Sequence, residues 1–436
     1  MKLSNSTLSN LPANVARPGY DRAALRPGIV HIGCGNFHRA HMAVYLDDLF
    51  AMGEGQDWAI IGAGVREGDA RMRAALEPQD WMTTVIELEP GAHSARVTGA
   101  MIGFVPVEAG NAGLIAAMSD PAIRIVSLTV TEGGYYIDPK TGTFSPAHPD
   151  IVKDAANPGA PDTVFGAIIA ALKARRAVGV APFTVMCCDN VPHNGHVTRD
   201  AVVGLAALSD PGFADWIADS VAFPNSMVDR ITPATGDRER AMVAAMGVDD
   251  AWPVTCEPFR QWVMEDNFPT GRPPLEKVGV TFTDQVDRFE TMKIRILNGG
   301  HAIIAYPGGL KDIELVHASM QDPTIRAFLD RIETDEILPI LPEVPGVRLD
   351  DYKQLILNRF SNPDVADTIR RLCLDGSNRQ PKFIIPSIRD NRARGVVPDG
   401  LILLSAMWCR YCEGTTDSGA VTAPNDPSWD KLQARA

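Results

Sequence analysis

The chain has 436 residues, 45% of them hydrophobic and 22% charged, with a formal net charge of -13. That mix suits a globular protein of two or three domains, and the negative balance argues against nonspecific binding to nucleic acid or to an anionic membrane surface. No uninterrupted apolar run is long enough to span a bilayer, and the opening MKLSNSTLSNLPANV lacks the apolar core of a secretory signal.

The first twenty-odd residues are polar and read as a surface arm. Gly28–Ile32 is then a short apolar strand. The run Gly33-Cys34-Gly35-Asn36-Phe37-His38 turns into a helix expected over Met42–Phe50, and Trp58–Val65 is a second apolar strand. Strand, glycine turn, helix and strand within about forty residues make a βαβ unit. Further strands are expected at Ile123–Val130 and Phe183–Cys188, with a helix over Thr163–Arg175 between them. Alternation of this kind implies a mostly parallel, doubly wound sheet. Beyond Asp284 the pattern becomes helical: Val286–Ile304, Leu310–Met320, Pro323–Leu341, Asp351–Phe360, Val365–Leu374 and Leu401–Tyr411. The fold class is therefore α/β, an N-terminal Rossmann-type domain over 1–283 followed by a mainly α-helical domain over 284–436. The tail after Glu413 reads as loosely ordered.

The Gly33-x-Gly35 turn lets a backbone approach a pyrophosphate, and the helix start at Asn36 and Phe37 offers free N–H groups. The third glycine of a dinucleotide fingerprint is missing, with His38 in its place. A plain tight βα turn is the competing reading. Glu67 and Asp69, after the second strand, can accept hydrogen bonds from ribose hydroxyls and would repel a 2′-phosphate, favouring NAD over NADP. Arg66 pulls the other way. The GAGVREG run follows the second strand and reads as a decoy.

Lys293-Ile294-Arg295-Ile296-Leu297-Asn298-Gly299-Gly300-His301 sets one ammonium, one amide and one imidazole in an apolar segment. On an α-helix Asn298 lies roughly 140° and His301 roughly 80° around from Lys293, so all three can face one pocket. A lysine in apolar surroundings is costly unless its proton can leave or its charge finds a partner, and that is how a protein makes a lysine general base. A snorkelling lysine, a capping asparagine and a satisfied core histidine form the bland alternative. Asp189-Asn190-Val191-Pro192 follows a predicted strand, where Asn190 could donate to a developing alkoxide, or simply build a turn. Glu132 also follows a strand. Phe223–Arg230 reads as a loop that could carry Asp229 to substrate, with an Asp229–Arg230 turn as the alternative.

Seven cysteines, mostly in apolar surroundings, suit reduced thiols and a cytoplasmic location. Cys409 and Cys412 form a C-x-x-C pair with no second pair nearby, and neither His31, Cys34, His38 and His41 nor Cys187, Cys188, His193 and His196 matches a zinc spacing. A lysine base with asparagine donors makes a metal redundant, so none is expected.

The segments IVHIGCGNFHRAHMAVYLDDL, SLTVTEGGYY, CDNVPHNG, FPNSMVDRITP, CEPFRQWVMED and KIRILNGGHA together resemble the mannitol dehydrogenase family, the long-chain polyol-specific dehydrogenases and reductases. The resemblance spans roughly residues 29 to 390. It implies metal-independent hydride transfer between NAD(P) and a polyol or sugar acid, with NAD preferred here and D-mannitol/D-fructose as the leading pair. It matches Lys293 to the general base, Asn190 and Asn298 to donors on the reacting oxygen, and His301 to a substrate-binding histidine. Glu132 matches an acid close to the lysine. Asp229, Arg371 and Arg379 match substrate contacts, with Lys382 close enough to compete with Arg379. The alternatives are a fructuronate reductase (mannonate oxidoreductase), whose substrate carries a carboxylate, and a catalytically silent NAD- or sugar-binding module. The expected partner is a small polyol or ketose. Oligomeric state stays open, and a monomer is compatible.

Overall fold

The computed structural model describes residues 1–138 and 141–436, with only the backbone of Glu132. The chain forms two compact units: Met1–Leu88 with Ala92–Val286, and Asp287–Ala436 with Glu89–Gly91.

The first unit is built on a five-stranded sheet. Its strands are β1 (Pro27–Ile32), β2 (Ala59–Ala63), β3 (Met101–Phe104), β4 (Ile125–Leu128) and β5 (Thr184–Cys187). They lie in the order β3-β2-β1-β4-β5, all parallel. This is the Rossmann order, with the reversal point between β1 and β4. The strands are short Val/Ile-rich runs because both faces of a parallel sheet are covered. Side chains alternate between faces. Val30, Ile32, Val126, Leu128 and Val185 enter one core with Phe165 and Leu172. Ile29, Ile60, Ile125 and Met186 enter the opposite core with Leu46, Phe50 and Trp262.

After β1 the chain makes a short helix, α1 (Asn36–Ala40), breaks at His41, and continues as α2 (Met42–Ala51). Helix α3 (Glu67–Leu76) follows β2. Helix α4 (Val164–Ala177) starts where Thr163 Oγ1 accepts the Gly166 N–H at 3.0 Å, a side-chain N-cap. Helix α5 (Asn194–Ser209) follows β5.

Two further sheets lie outside the sequence reading. One has the order Val15–Ala16, Ala92–Thr98, Thr83–Glu89, Val254–Cys256. The N-terminal segment is therefore not a free arm: Val15 pairs with Ala95 and Leu3 is fully buried. In the other sheet Ser226–Asp229 runs antiparallel to Gln261–Met264. Half of the segment expected as a loop at Phe223–Arg230 is thus a buried strand, its backbone groups satisfied by a partner distant in sequence.

The second unit is helical. Its elements include α6 (Val286–Lys293), a π-helical turn at Ile294–Asn298, α7 (Gly299–Leu310), α8 (Pro323–Ile332), a second π turn at Glu333–Ile337, α9 (Leu349–Phe360), α10 (Ile369–Leu372), α11 (Gly376–Phe383) and α12 (Asp399–Cys412). Helix α7 is buried along nearly its whole length and forms the centre of the unit. The helix expected over Leu310–Met320 is reduced to Val316–Gln321, because Asp312 takes a left-handed φ of 58° that ends the preceding helix. The tail is docked rather than loose. Trp429 is buried beside Tyr411, and the Asp426 carboxylate accepts from the Ser377 backbone and hydroxyl, each at 2.7 Å. Among the described residues no helix is long and apolar enough to cross a membrane.

Candidate active site

In the first unit the site begins at the glycine turn. Gly33 has φ +99°, and a Cβ there would lie 2.1 Å from the Thr129 carbonyl oxygen, so no other residue fits without backbone movement. At Gly35 φ is -64°, and nothing lies within 4 Å of a Cβ position. Gly33 is thus fixed by the fold, whereas Gly35 leaves room for a pyrophosphate to approach the backbone. The first-turn N–H groups at Asn36 and Phe37 start α1, where intrahelical acceptors are lacking by geometry. The Asn36 side chain is used internally: Nδ2 donates to Pro233 O and Thr235 Oγ1 at 2.9 Å each, and Oδ1 accepts from Arg39 at 2.8 Å.

Beneath the turn, His31 and His38 stack with ring centroids 3.5 Å apart. His31 meets Ser127 Oγ at 2.8 Å and Thr129 Oγ1 at 2.9 Å, fastening β1 to β4 and its extension. Burial pushes His31 and His41 down to about 3. It also drives His38 well below its usual value, with His31 and Arg39 adding repulsion. His38 fills the position of the missing third glycine as a neutral ring packed flat on its neighbour.

At the end of β2, the Asp69 carboxylate accepts the Val65 and Arg66 N–H groups at 3.1 and 3.0 Å. A Cβ on Gly64 would sit 2.1 Å from Asp69 Cγ, which explains the glycine in the GAGVREG run. Asp69 thus spends one carboxylate oxygen on the start of α3. Glu67 is exposed in the first turn of that helix and pairs with Arg71 at 3.1 Å.

Two more segments leave the carboxyl ends of neighbouring strands, where open α/β sheets bind ligands. The segment after β4 enters a 3-10 turn at Glu132–Tyr135; the Glu132 side chain lies outside the described residues. After β5, Asn190 is exposed at the tip of its loop. Asp229 is buried at the end of its strand, opposite Gln261. Arg230 does not cap it but reaches Glu87 at 2.5 Å and the Ala40 carbonyl at 2.6 Å.

In the second unit Lys293 closes α6 and is only 5% exposed. The backbone then widens into the π turn Ile294–Asn298. Hydrogen bonding in a π turn runs from i to i+5, the spacing between Lys293 and Asn298. The wider turn brings Asn298 closer to the face of Lys293 than the 140° estimated for an α-helix. Asn298 Oδ1 and His301 Nε2 are buried without a hydrogen-bond partner. The His301 ring stacks on Phe360 at 4.5 Å. Burial holds His301 well below its ordinary value, with further lowering from Arg371, Arg359, Arg379 and Lys293. The ring is therefore held neutral, which leaves one nitrogen able to donate and the other able to accept.

The guanidinium groups are positioned from the adjacent helices. Arg371, on α10, is held by Asp367, with Nε donating at 2.5 Å. Arg379, on α11, donates to the Leu372 carbonyl at 3.0 Å. Lys382 lies one turn further along α11. Arg359 and Phe360 end α9 and were not singled out from sequence. Only their place at the end of an amphipathic helix marked them. The unit thus gathers Lys293, Asn298, His301, Arg371 and Arg379. Gly33, Gly35, Asn36, Phe37, Asn190 and the Glu132 backbone belong to the carboxyl edge of the first unit's sheet.

A glycine-turn Rossmann sheet joined to a helical unit with a buried lysine defines the class of two-unit dinucleotide-binding oxidoreductases. Residues 27–277 match the model of the mannitol dehydrogenase Rossmann domain, and residues 285–436 that of the mannitol dehydrogenase C-terminal domain. A mannitol 2-dehydrogenase of Cereibacter sphaeroides is 69% identical over 423 residues, covering 97% of this chain and 88% of the relative. Among solved structures, the Pseudomonas fluorescens mannitol 2-dehydrogenase in ternary complex with NAD and D-mannitol is 45% identical. It superposes with a TM-score of 0.91 over 100% of this chain and 89% of that one. A D-sorbitol dehydrogenase in substrate-free form is 36% identical, with a TM-score of 0.92 over 99% of this chain and 91% of that one. The chain belongs to the mannitol dehydrogenase family.

Proposed function

We propose that this protein is an NAD-dependent polyol dehydrogenase interconverting D-mannitol and D-fructose, with Lys293 as general base in oxidation and general acid in reduction. A bound NAD would supply the hydride acceptor for the carbinol carbon. Lys293 removes the proton of the same hydroxyl. Asn298 and Asn190 donate to the alkoxide-like oxygen, a role worth about 3–4 kcal/mol per well-placed donor. Neutral His301 holds a substrate hydroxyl, and Asp229, Arg371 and Arg379 complete the substrate contacts. Glu132 is assigned the acidic role that its SLTVTEGGYY segment shares with the family. Gly33, Gly35, Asn36 and Phe37 would hold the pyrophosphate through the backbone, and Glu67 or Asp69 would meet the adenosine ribose. The observation that carries this reading is the buried Lys293 at the head of a π turn whose i to i+5 geometry carries Asn298, in a chain 69% identical to a mannitol 2-dehydrogenase.

A second reading, fructuronate reduction, draws on the guanidinium groups of Arg359, Arg371 and Arg379 around His301. It is the weaker one, because the chain is 69% identical to a mannitol 2-dehydrogenase. The test is NADH oxidation with fructose and with fructuronate, repeated with NADPH. Turnover on fructose with NADH is expected. Turnover confined to fructuronate overturns the mannitol assignment, and cofactor binding without turnover on either substrate favours a silent module.

A further inference from the structure

Strands β4 and β5 are parallel neighbours in register, Leu128 opposite Cys187. Just past their ends one side chain ties the two exit loops together. Asp189 Oδ2 accepts the Val130 N–H at 2.8 Å, and Oδ1 accepts the Thr131 N–H at 3.0 Å. The Tyr135 hydroxyl, at the far end of the 3-10 turn, donates to Asp189 Oδ2 at 2.5 Å. Tyr135 is fully buried and also sits 2.8 Å from Cys187 Sγ. Burial, with Cys187 and Asp189 beside it, keeps the phenol well above its usual range, so it remains a donor. Asp189 is anchored in turn: its carbonyl accepts from Asn194 Nδ2 at 3.1 Å, and that amide also reaches Ser226 O at 2.7 Å.

The bonded backbone is strained. Thr131 has φ 69° and ψ 163°, a region essentially reserved for glycine and especially unfavourable for a β-branched residue. A threonine stays there only if its surroundings over-determine it, and the Asp189 carboxylate supplies that constraint at the two consecutive N–H groups. The strained residue directly precedes Glu132, and Asp189 directly precedes Asn190.

We propose that Asp189 is a positioning residue for the reaction: its carboxylate holds the Val130–Thr131 backbone in its strained form and so keeps the segments bearing Glu132 and Asn190 in register. This rests on the reading of those two residues given under Proposed function. An amide at position 189 offers one acceptor oxygen in place of two and turns a donor toward donors.

The test compares wild type, D189N, T131G, Y135F and the D189N/T131G double variant. Readouts are kcat, KM, NADH affinity by fluorescence and thermal midpoint. D189N is expected to lose about tenfold or more in kcat, the effect of misplaced catalytic groups, with NADH affinity within about twofold of wild type. T131G should turn over nearly normally, and in the D189N background it should recover about half of the lost kcat or more, because glycine reaches this conformation without strain. Y135F, which removes a single donor, should give a smaller loss in the same direction. If D189N fails to fold, Y135F carries the test. A D189N enzyme with wild-type kcat overturns the proposal. So does a loss that tracks thermal midpoint alone, or one that Thr131→Gly does not restore. A wild-type enzyme without turnover on any polyol or ketose overturns the functional reading as well, which separates the two failures.

Discussion

At the glycine turn after β1 the backbone itself is the functional surface, whereas at the π turn after Lys293 the backbone serves to aim side chains. The first works by removing atoms. Gly33 must lack a Cβ to lie against Thr129, and Gly35 keeps its outer face clear. The second works by adding width, so that residues five apart share a face. Both adjoin buried histidines held neutral: His31 and His38 stack beneath the first, and His301 follows the second in the opening turn of α7. The lesson is that a turn defined by absent atoms tolerates almost no substitution at the residue that defines it. A turn defined by backbone bulging tolerates change except at the side chains it presents.

The sharpest way to break this contrast is at Lys293. Lys293→Ala should lower kcat by about 100- to 10,000-fold, the range for a general acid–base residue. NADH affinity should change far less, because the pyrophosphate is assigned to the glycine turn rather than to the amine. Steady-state kinetics with fluorescence titration of NADH checks this, and turnover near wild type would remove Lys293 from the mechanism.

The glycine turn should respond in the opposite sense. Gly33→Ala combines a left-handed φ with a backbone clash and should cost about 2 kcal/mol or more in stability. Gly35→Ala should fold normally but weaken NADH about tenfold, ~1.4 kcal/mol, by placing a methyl group where the pyrophosphate approaches. Equal thermal midpoints for the two variants would erase the distinction between a glycine required by the fold and one required by the ligand.

The smallest effect per group concerns pH and both regions together. His31 and His41 are held down to about 3, and His38 and His301 also lie well below their ordinary value. Below about pH 6.5 the unfolded chain binds protons at these positions and the folded chain does not. Stability therefore falls as pH drops from about 6.5 toward 3, by at most about 1.4 kcal/mol per pH unit for each such histidine. No such loss arises from them above pH 7. Urea midpoints at pH 7.5 and 5.5 measure the effect. A flat profile would mean that these rings take up protons without unfolding.

Much of the parallel sheet could be read from sequence, because strands buried on both faces must be apolar along their length and the glycine turn marks the first crossover. The helix after Thr163 was readable because its cap is local. The glycine-turn residues and the Lys293–His301 segment could be named for the same reason: neighbours in sequence are neighbours in space. The N-terminal strand, the Ser226–Asp229 strand and the docked tail could not, since each is held by partners far along the chain. Their composition alone reads as loop.

What the sequence by itself determined is the order of elements, the place of the two turns and the family to which they point. The tertiary structure alone decided three things. It widened the helix after Lys293, set His38 flat on His31, and brought the Asp189 carboxylate onto the strained Thr131 backbone. The physical reason is common to all three. Periodicity in a sequence encodes which residues are buried, but local backbone departures from regular geometry persist only where packing and hydrogen bonds from distant segments hold them.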